Sequence, residues 1–263
     1  MDHPRRRPLL LPPDRTNSWI PGSRKVTRQR ESDPVRRYSA AGSGHDLSMR
    51  RTDDHAAYHW LEEVAGKPIF AGIEPPGYPA YVRIFHALYE PAARKTATPA
   101  TAQSSDASRV RWSELADRLK VQFTGAEHDH RFFHATRGRG LPDYIEGVRE
   151  GSLDDESYVR LTEILLAHSG NLDIVAYYCL LALKVWDKPA VFEGRLNEMP
   201  ALPQSRTLRS PTTPQNWWPR DRSWVVYTDW DLTTTTICAS IALADRLLAD
   251  DHLLECTRVE HVE

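Results

Sequence analysis

The chain has 263 residues, 40% hydrophobic and 27% charged, with 34 Lys and Arg set against 36 Asp and Glu. That near-neutral balance excludes a general affinity for nucleic acid or membrane surfaces, and no segment reaches the roughly 18 apolar residues of a spanning helix. The length suits one well-buried domain or two small ones. Cys179, Cys238 and Cys256 form an odd set without metal-ligand spacing, which argues against a disulfide framework and for a reducing cytoplasm.

The charge is unevenly spread. Residues 1–48 hold ten Lys and Arg and five Asp and Glu, which leaves 24 basic and 31 acidic residues for 49–263. Pro, Arg, Ser and Gly dominate this basic leader, and it has too little apolar surface to offset the entropy of ordering. It reads as disordered. Two accounts of it stay open: a basic arm using Arg5, Arg6, Arg7, Arg36 and Arg37, or a stretch lying upstream of a true start at Met49.

From Met49 onward the elements follow from periodicity. Tyr58, Trp60, Leu61 and Val64 predict an amphipathic helix over His55–Val64, stopped by Gly66 and Pro68. Ile69–Ile73 reads as a strand, paired across Pro75-Pro76-Gly77 with a second strand over Tyr81–Tyr89. Residues 91–108, rich in Ala, Thr and Ser, predict a flexible loop. A short helix over Trp112–Leu119 precedes a stretch without clear pattern up to Gly151. Ser152 then opens the best-marked helix, capped by its hydroxyl, favoured by Asp154, Asp155 and Glu156 at the positive end of the dipole, and closed by Gly170. The apolar run Val175–Leu183 predicts a central strand covered on both faces. Ala190–Glu193 is a shorter strand and 197–216 a Pro- and Thr-rich loop. Trp224–Trp230 reads as a strand, Thr233–Thr236 as a strand end and helix cap, and Ile237–Leu248 as a helix. Leu254–Val259 is a final strand. Strands and helices mix without βαβ alternation, so the expected fold is an α+β domain over 49–263, a mainly antiparallel sheet with a few packed helices.

The segment from Pro214 to Asp231 carries four of the eight tryptophans. Each such ring must be buried against partners or held for a ligand. Alternation along the Trp strand assigns Trp224, Val226, Thr228 and Trp230 to a core face, and Val225, Tyr227, Asp229 and Asp231 to the opposite one. Two carboxylates held close split their proton affinities, which suits acid and base roles; the plainer account has them capping a helix or pairing with Arg220 and Arg222. Trp217-Trp218-Pro219 is either a stacking platform or a loop packed on the core. His128, His130 and His134, with Glu127 and Asp129, have spacing that could ligate zinc, but on a segment too irregular to hold a metal, so neither a metal nor a cofactor is expected. His86 and His168 read as core or helix-end residues.

The order Trp217-Trp218-Pro219, Asp221-Arg222, Trp224 and Asp229-x-Asp231 resembles a family of uncharacterised bacterial proteins. Pro75-Pro76-Gly77, Tyr81-Val82-Arg83, Phe85-His86, Arg111-Trp112, Gly151-Ser152-Leu153 and Phe192-Glu193-Gly194 continue the resemblance. It runs from about Trp60 to the C terminus and leaves the leader outside. It implies no assigned activity, and Cys238-Ala239 stands where that family commonly carries a glycine pair. The functional expectation is a cytoplasmic module that binds a small molecule or a protein, not a membrane or nucleic acid. Its candidate face is Trp217, Trp218, Arg222, Tyr227, Asp229 and Asp231. The alternative is a hydrolase or transferase working through Asp229 and Asp231 with Arg222.

Overall fold

The computed structural model describes residues 49–52, 54–66, 69, 72–91, 107–127, 129, 141, 142, 144–146, 149–185, 188–250 and 252–259. The leader, most of the 91–108 loop, and His128, His130 and His134 lie outside them. Ten strands are described. β1 (Arg50–Thr52), β2 (Ala80–Phe85), β5 (Asp173–Tyr178), β6 (Ala190–Arg195), β7 (Asn216–Pro219), β8 (Val225–Thr228), β9 (Thr234–Ala239) and β10 (Glu255–Val259) make an eight-stranded sheet in the order β1-β6-β5-β7-β8-β9-β2-β10. Every neighbouring pair is antiparallel. β3 (Leu88–Glu90) and β4 (Ser108–Val110) form a separate antiparallel pair. The fold is α+β, as the mixed pattern predicts.

Four α-helices are described: α1 (His59–Ala65), α2 (Trp112–Leu119), α3 (Asp155–Ser169) and α4 (Ile241–Leu248). α3 and α4 bury Leu161, Leu165, Leu243 and Leu247 against Val82, Ile84, Ala176, Trp217, Val226 and Ile237 on one face of the sheet. α1 lays Trp60 and Leu61 on the other face, over Val175, Tyr177, Trp218 and Val225. α2 covers Phe85, Leu88 and Val110 beside them. Helices on both faces explain why β2 and β9 are buried at every position: a central strand with two covers needs no polar side. No described helix is long and apolar enough to cross a membrane.

Several boundaries differ from the sequence reading, each for a physical reason. The described residues of 69–73 belong to no strand. Asn216 takes the place of a ladder there, accepting from Ile73 N and donating to Ile73 O, both at 2.8 Å. Gly72, at φ +101, lets that loop approach, since a Cβ would stand 2.8 Å from the Asn216 side-chain oxygen. Tyr81–Tyr89 breaks at His86, and its two halves enter different sheets. The run after Tyr178 leaves its strand at once for a 3-10 turn at Leu180–Ala182. Pro200 and Pro203 sit inside another 3-10 stretch, Leu196–Gln204, in the segment read as loop. Ile237 and the threonines Thr234, Thr235 and Thr236 lie within β9, where β-branched residues pack well on a pleated surface, and the helix starts only after Ser240 caps it.

Candidate functional site

Trp217 and Trp218 are neighbours in β7, so they point to opposite faces of the sheet. Trp217 stacks edge-on with Trp224 at 5.3 Å and with Tyr158 at 5.8 Å beneath α3. Trp218 meets Trp60 of α1 at 5.3 Å. The two rings, 1% and 2% exposed, fill two different cores and do not make one stacking platform. The proline at Pro219 ends the strand; it does not set a ligand floor.

Arg222 occupies the turn between β7 and β8 at φ +55. Its guanidinium lies 4.5 Å from the centre of the Trp60 ring, and its carbonyl accepts from the Tyr78 hydroxyl at 2.8 Å. It therefore pins α1 and the loop before β2 to one end of the sheet. Asp229 lies beyond the other end of β8, and the four residues Val225–Thr228 put about 13 Å of strand between them. The structure does not bring Arg222 to the carboxylate pair.

Tyr227 and Asp229 do meet. The Tyr227 hydroxyl donates to Asp229 Oδ2 at 2.7 Å, while Asp229 Oδ1 is buried with no hydrogen-bond partner. Burial first, and then the hydrogen bond and charge of Asp229, push the Tyr227 phenol far above its usual range. Tyr227 belongs to a lateral row on the α1 face in which Tyr177, Asn216, Tyr227, Thr236, Arg83 and Thr257 are successive cross-strand partners. The row is polar, with Tyr177, Asn216, Thr236 and Arg83 buried and Tyr227 and Thr257 half-buried. Cys179 and Cys238 lie on the same face, and burial pushes both thiols up, which makes them inert side chains and not nucleophiles.

The accessible feature of this region is Trp230. Alternation along β8 assigned it to the core, but β8 ends at Thr228 and the chain turns, with Leu232 N donating to Asp229 O at 3.4 Å. Trp230 stands at the tip of that turn, 46% exposed. It is the one exposed tryptophan among the described residues. Gly151 backs the turn at φ +67: its N–H donates to Leu232 O at 2.8 Å, and a Cβ there would run into the Trp230 carbonyl. On the same side opens a cleft of about 380 Å³, lined by Trp230, Gln215, Arg209, Glu150, Thr212 and Leu181 among others. Gln215 is held rigidly, because its Oε1 accepts from Cys179 N at 2.9 Å; the amide nitrogen is then the donor it can offer the cleft. Asp229 and Asp231 flank Trp230 in sequence but do not line the cleft.

The arrangement can hold a flat ring against an indole face, donate from a fixed amide and a guanidinium, and accept at Glu150 and Thr212. Strand alternation stops being informative where a strand stops, so alternation did not mark Trp230 as the exposed ring of the four. The signal available was the Asp229–Asp231 pair around it, two polar residues bracketing a ring as they do in turns. Compared with protein-family models, with curated proteins and with solved structures, the chain gives no match.

Proposed function

We propose that this chain is a ligand-binding module whose site is the cleft beside Trp230, and that its ligand is a small ring-bearing molecule rich in hydrogen-bond acceptors. One observation carries the reading. The described tryptophans Trp60, Trp112, Trp217, Trp218 and Trp224 are all buried, whereas Trp230 spends a large apolar surface at the wall of an open cleft. An indole face of this kind gains energy from stacking, and the pre-set Gln215 amide adds orientation at little entropic cost. The likeness to the bacterial family rests on the order of its motifs, and the cytoplasmic assignment on the cysteine pattern.

A thermal-shift screen of the full chain against sugars, nucleosides and heterocyclic metabolites tests this. A ligand at a hundredfold excess over its Kd stabilises by about 2.7 kcal/mol, which for a domain of this size raises the melting temperature by about 5–10 °C. The shift should vanish in Trp230→Ala, weaken in Arg209→Ala and persist in Asp231→Asn. A shift that survives Trp230→Ala and disappears in Asp231→Asn would move the site to the carboxylates and favour the hydrolase or transferase reading.

A further inference from the structure

We infer that His55, His59 and Glu62 form a binding site for a divalent transition metal, zinc above all, on the outer side of α1. A 3-10 turn over His55–Ala57 runs into α1, so residues four and then three apart fall on one side of the chain. His55 Nε2 lies 2.8 Å and His59 Nδ1 3.4 Å from the same oxygen, Glu62 Oε2. One ligand atom from each of the three residues lies within 4.8 Å of the other two. A tetrahedral zinc with bonds of about 2.0–2.1 Å sets its donor atoms about 3.3 Å apart, and the two measured separations bracket that value.

Three further features point the same way. The side chains of His55 and His59 are 57% and 54% exposed, so both rings can adjust to a cation without disturbing the core, and a water can take a fourth position. Glu62, at 16% exposure, is the anchored member. On its far side, the Nε2 of His59 lies 3.5 Å from Glu63 Oε1. A carboxylate on the distal nitrogen of a ligating imidazole fixes the tautomer that leaves the other nitrogen free to bind metal. Two imidazoles, one carboxylate and an open position make the donor set of a zinc centre that keeps a coordinated water. The hard, oxygen-seeking Mg²⁺ and Ca²⁺ suit it poorly. The site is separate from the Trp230 cleft and does not rest on it.

The test is calorimetric titration of the full chain with zinc chloride near neutral pH, with cobalt(II) as a visible-absorbing reporter of coordination. The expected result is one equivalent bound, with a cobalt spectrum of tetrahedral type. His55→Ala, His59→Ala and Glu62→Gln should each weaken binding by more than the roughly 10–100-fold that loss of an outer-shell partner costs. Glu63→Gln should fall within that range. Because His55, His59 and Glu63 are exposed and Gln has the shape of the half-buried Glu62, far-ultraviolet dichroism should match the parent in each variant. Alanine at His128, His130 and His134 together should leave the affinity unchanged. No stoichiometric binding, or binding that survives His55→Ala but fails in the triple variant, overturns the proposal.

Discussion

His86, 1% exposed, carries four hydrogen bonds just past the end of β2. Its N–H donates to Thr233 O and its carbonyl accepts from Trp112 Nε1. The ring Nδ1 lies 2.7 Å from the Arg149 carbonyl, which can only accept, so Nδ1 bears the proton. Nε2 then accepts from the Thr235 hydroxyl at 3.0 Å, and Thr235 in turn accepts from Thr228 at 2.8 Å. A neutral ring satisfies this chain of bonds. Burial pushes the pKa of His86 from 6.5 to about 4, outweighing the Arg149 carbonyl and the Asp154 carboxylate, which favour the charged form. The unfolded chain therefore takes up a proton below 6.5 that the folded one refuses. Stability from this residue is complete above pH 6.5 and falls as pH drops toward 4, by at most on the order of 3 kcal/mol. Urea unfolding of the parent and of His86→Gln across that window checks this: the parent's advantage should shrink as pH falls, and a constant difference would show an unburied, normally titrating ring. The sequence suggested a core histidine here. It did not disclose the tautomer, since Arg149, Thr235 and Thr228 come from three separate segments.

At the scale of elements, the helix starts show what local chemistry decides. α3 begins where its acidic first turn predicts, but the cap is Asp154, not Ser152. Asp154 Oδ1 accepts from Ser157 N at 3.0 Å and from Arg109 Nη1 at 3.3 Å. Ser152 is turned inward, and its hydroxyl oxygen accepts from Thr213 N at 3.0 Å. Asp154→Ala removes a cap, for about 1–2 kcal/mol, and also strips its partner from Arg109, whose side chain is only 19% exposed. The total loss should reach about 3 kcal/mol; Asp154→Asn, which keeps a capping oxygen, should lose roughly half as much. Guanidinium denaturation of both variants measures the ratio. α2 has no side-chain cap of its own at Arg111. Glu255 of β10 supplies one from far along the chain, accepting from Trp112 N and Ser113 N. No local reading of 108–116 could have found that cap, because it exists only once β10 has paired with β2.

For the whole molecule, the decisive fact is a sheet covered on both faces. Two covers give β7 two buried tryptophans in succession and leave exposure to turns, where Trp230 sits. The energetic contrast is testable. Trp217→Ala empties a site shared with Trp224 and Tyr158 and should cost about 3–5 kcal/mol. Trp230→Ala should change stability by no more than about 0.5 kcal/mol. Melting temperatures of the two variants decide it, and equal losses would place Trp230 in the core.

Composition and periodicity alone determined the α+β class, the separation of a basic leader from an acidic body, the span of α2 and the site of α3. Those features depend on which residues lie within a few positions of one another, and short-range spacing is what a sequence displays. Tertiary structure alone decided that Trp217 and Trp218 belong to separate cores, that Arg222 braces Trp60 and does not join Asp229, and that Trp230 borders a cleft. Each of these turns on where a strand ends and what covers it. Pairings such as Asn216 with Ile73 and Gly151 with Leu232 set those ends, and they join residues far apart in the chain.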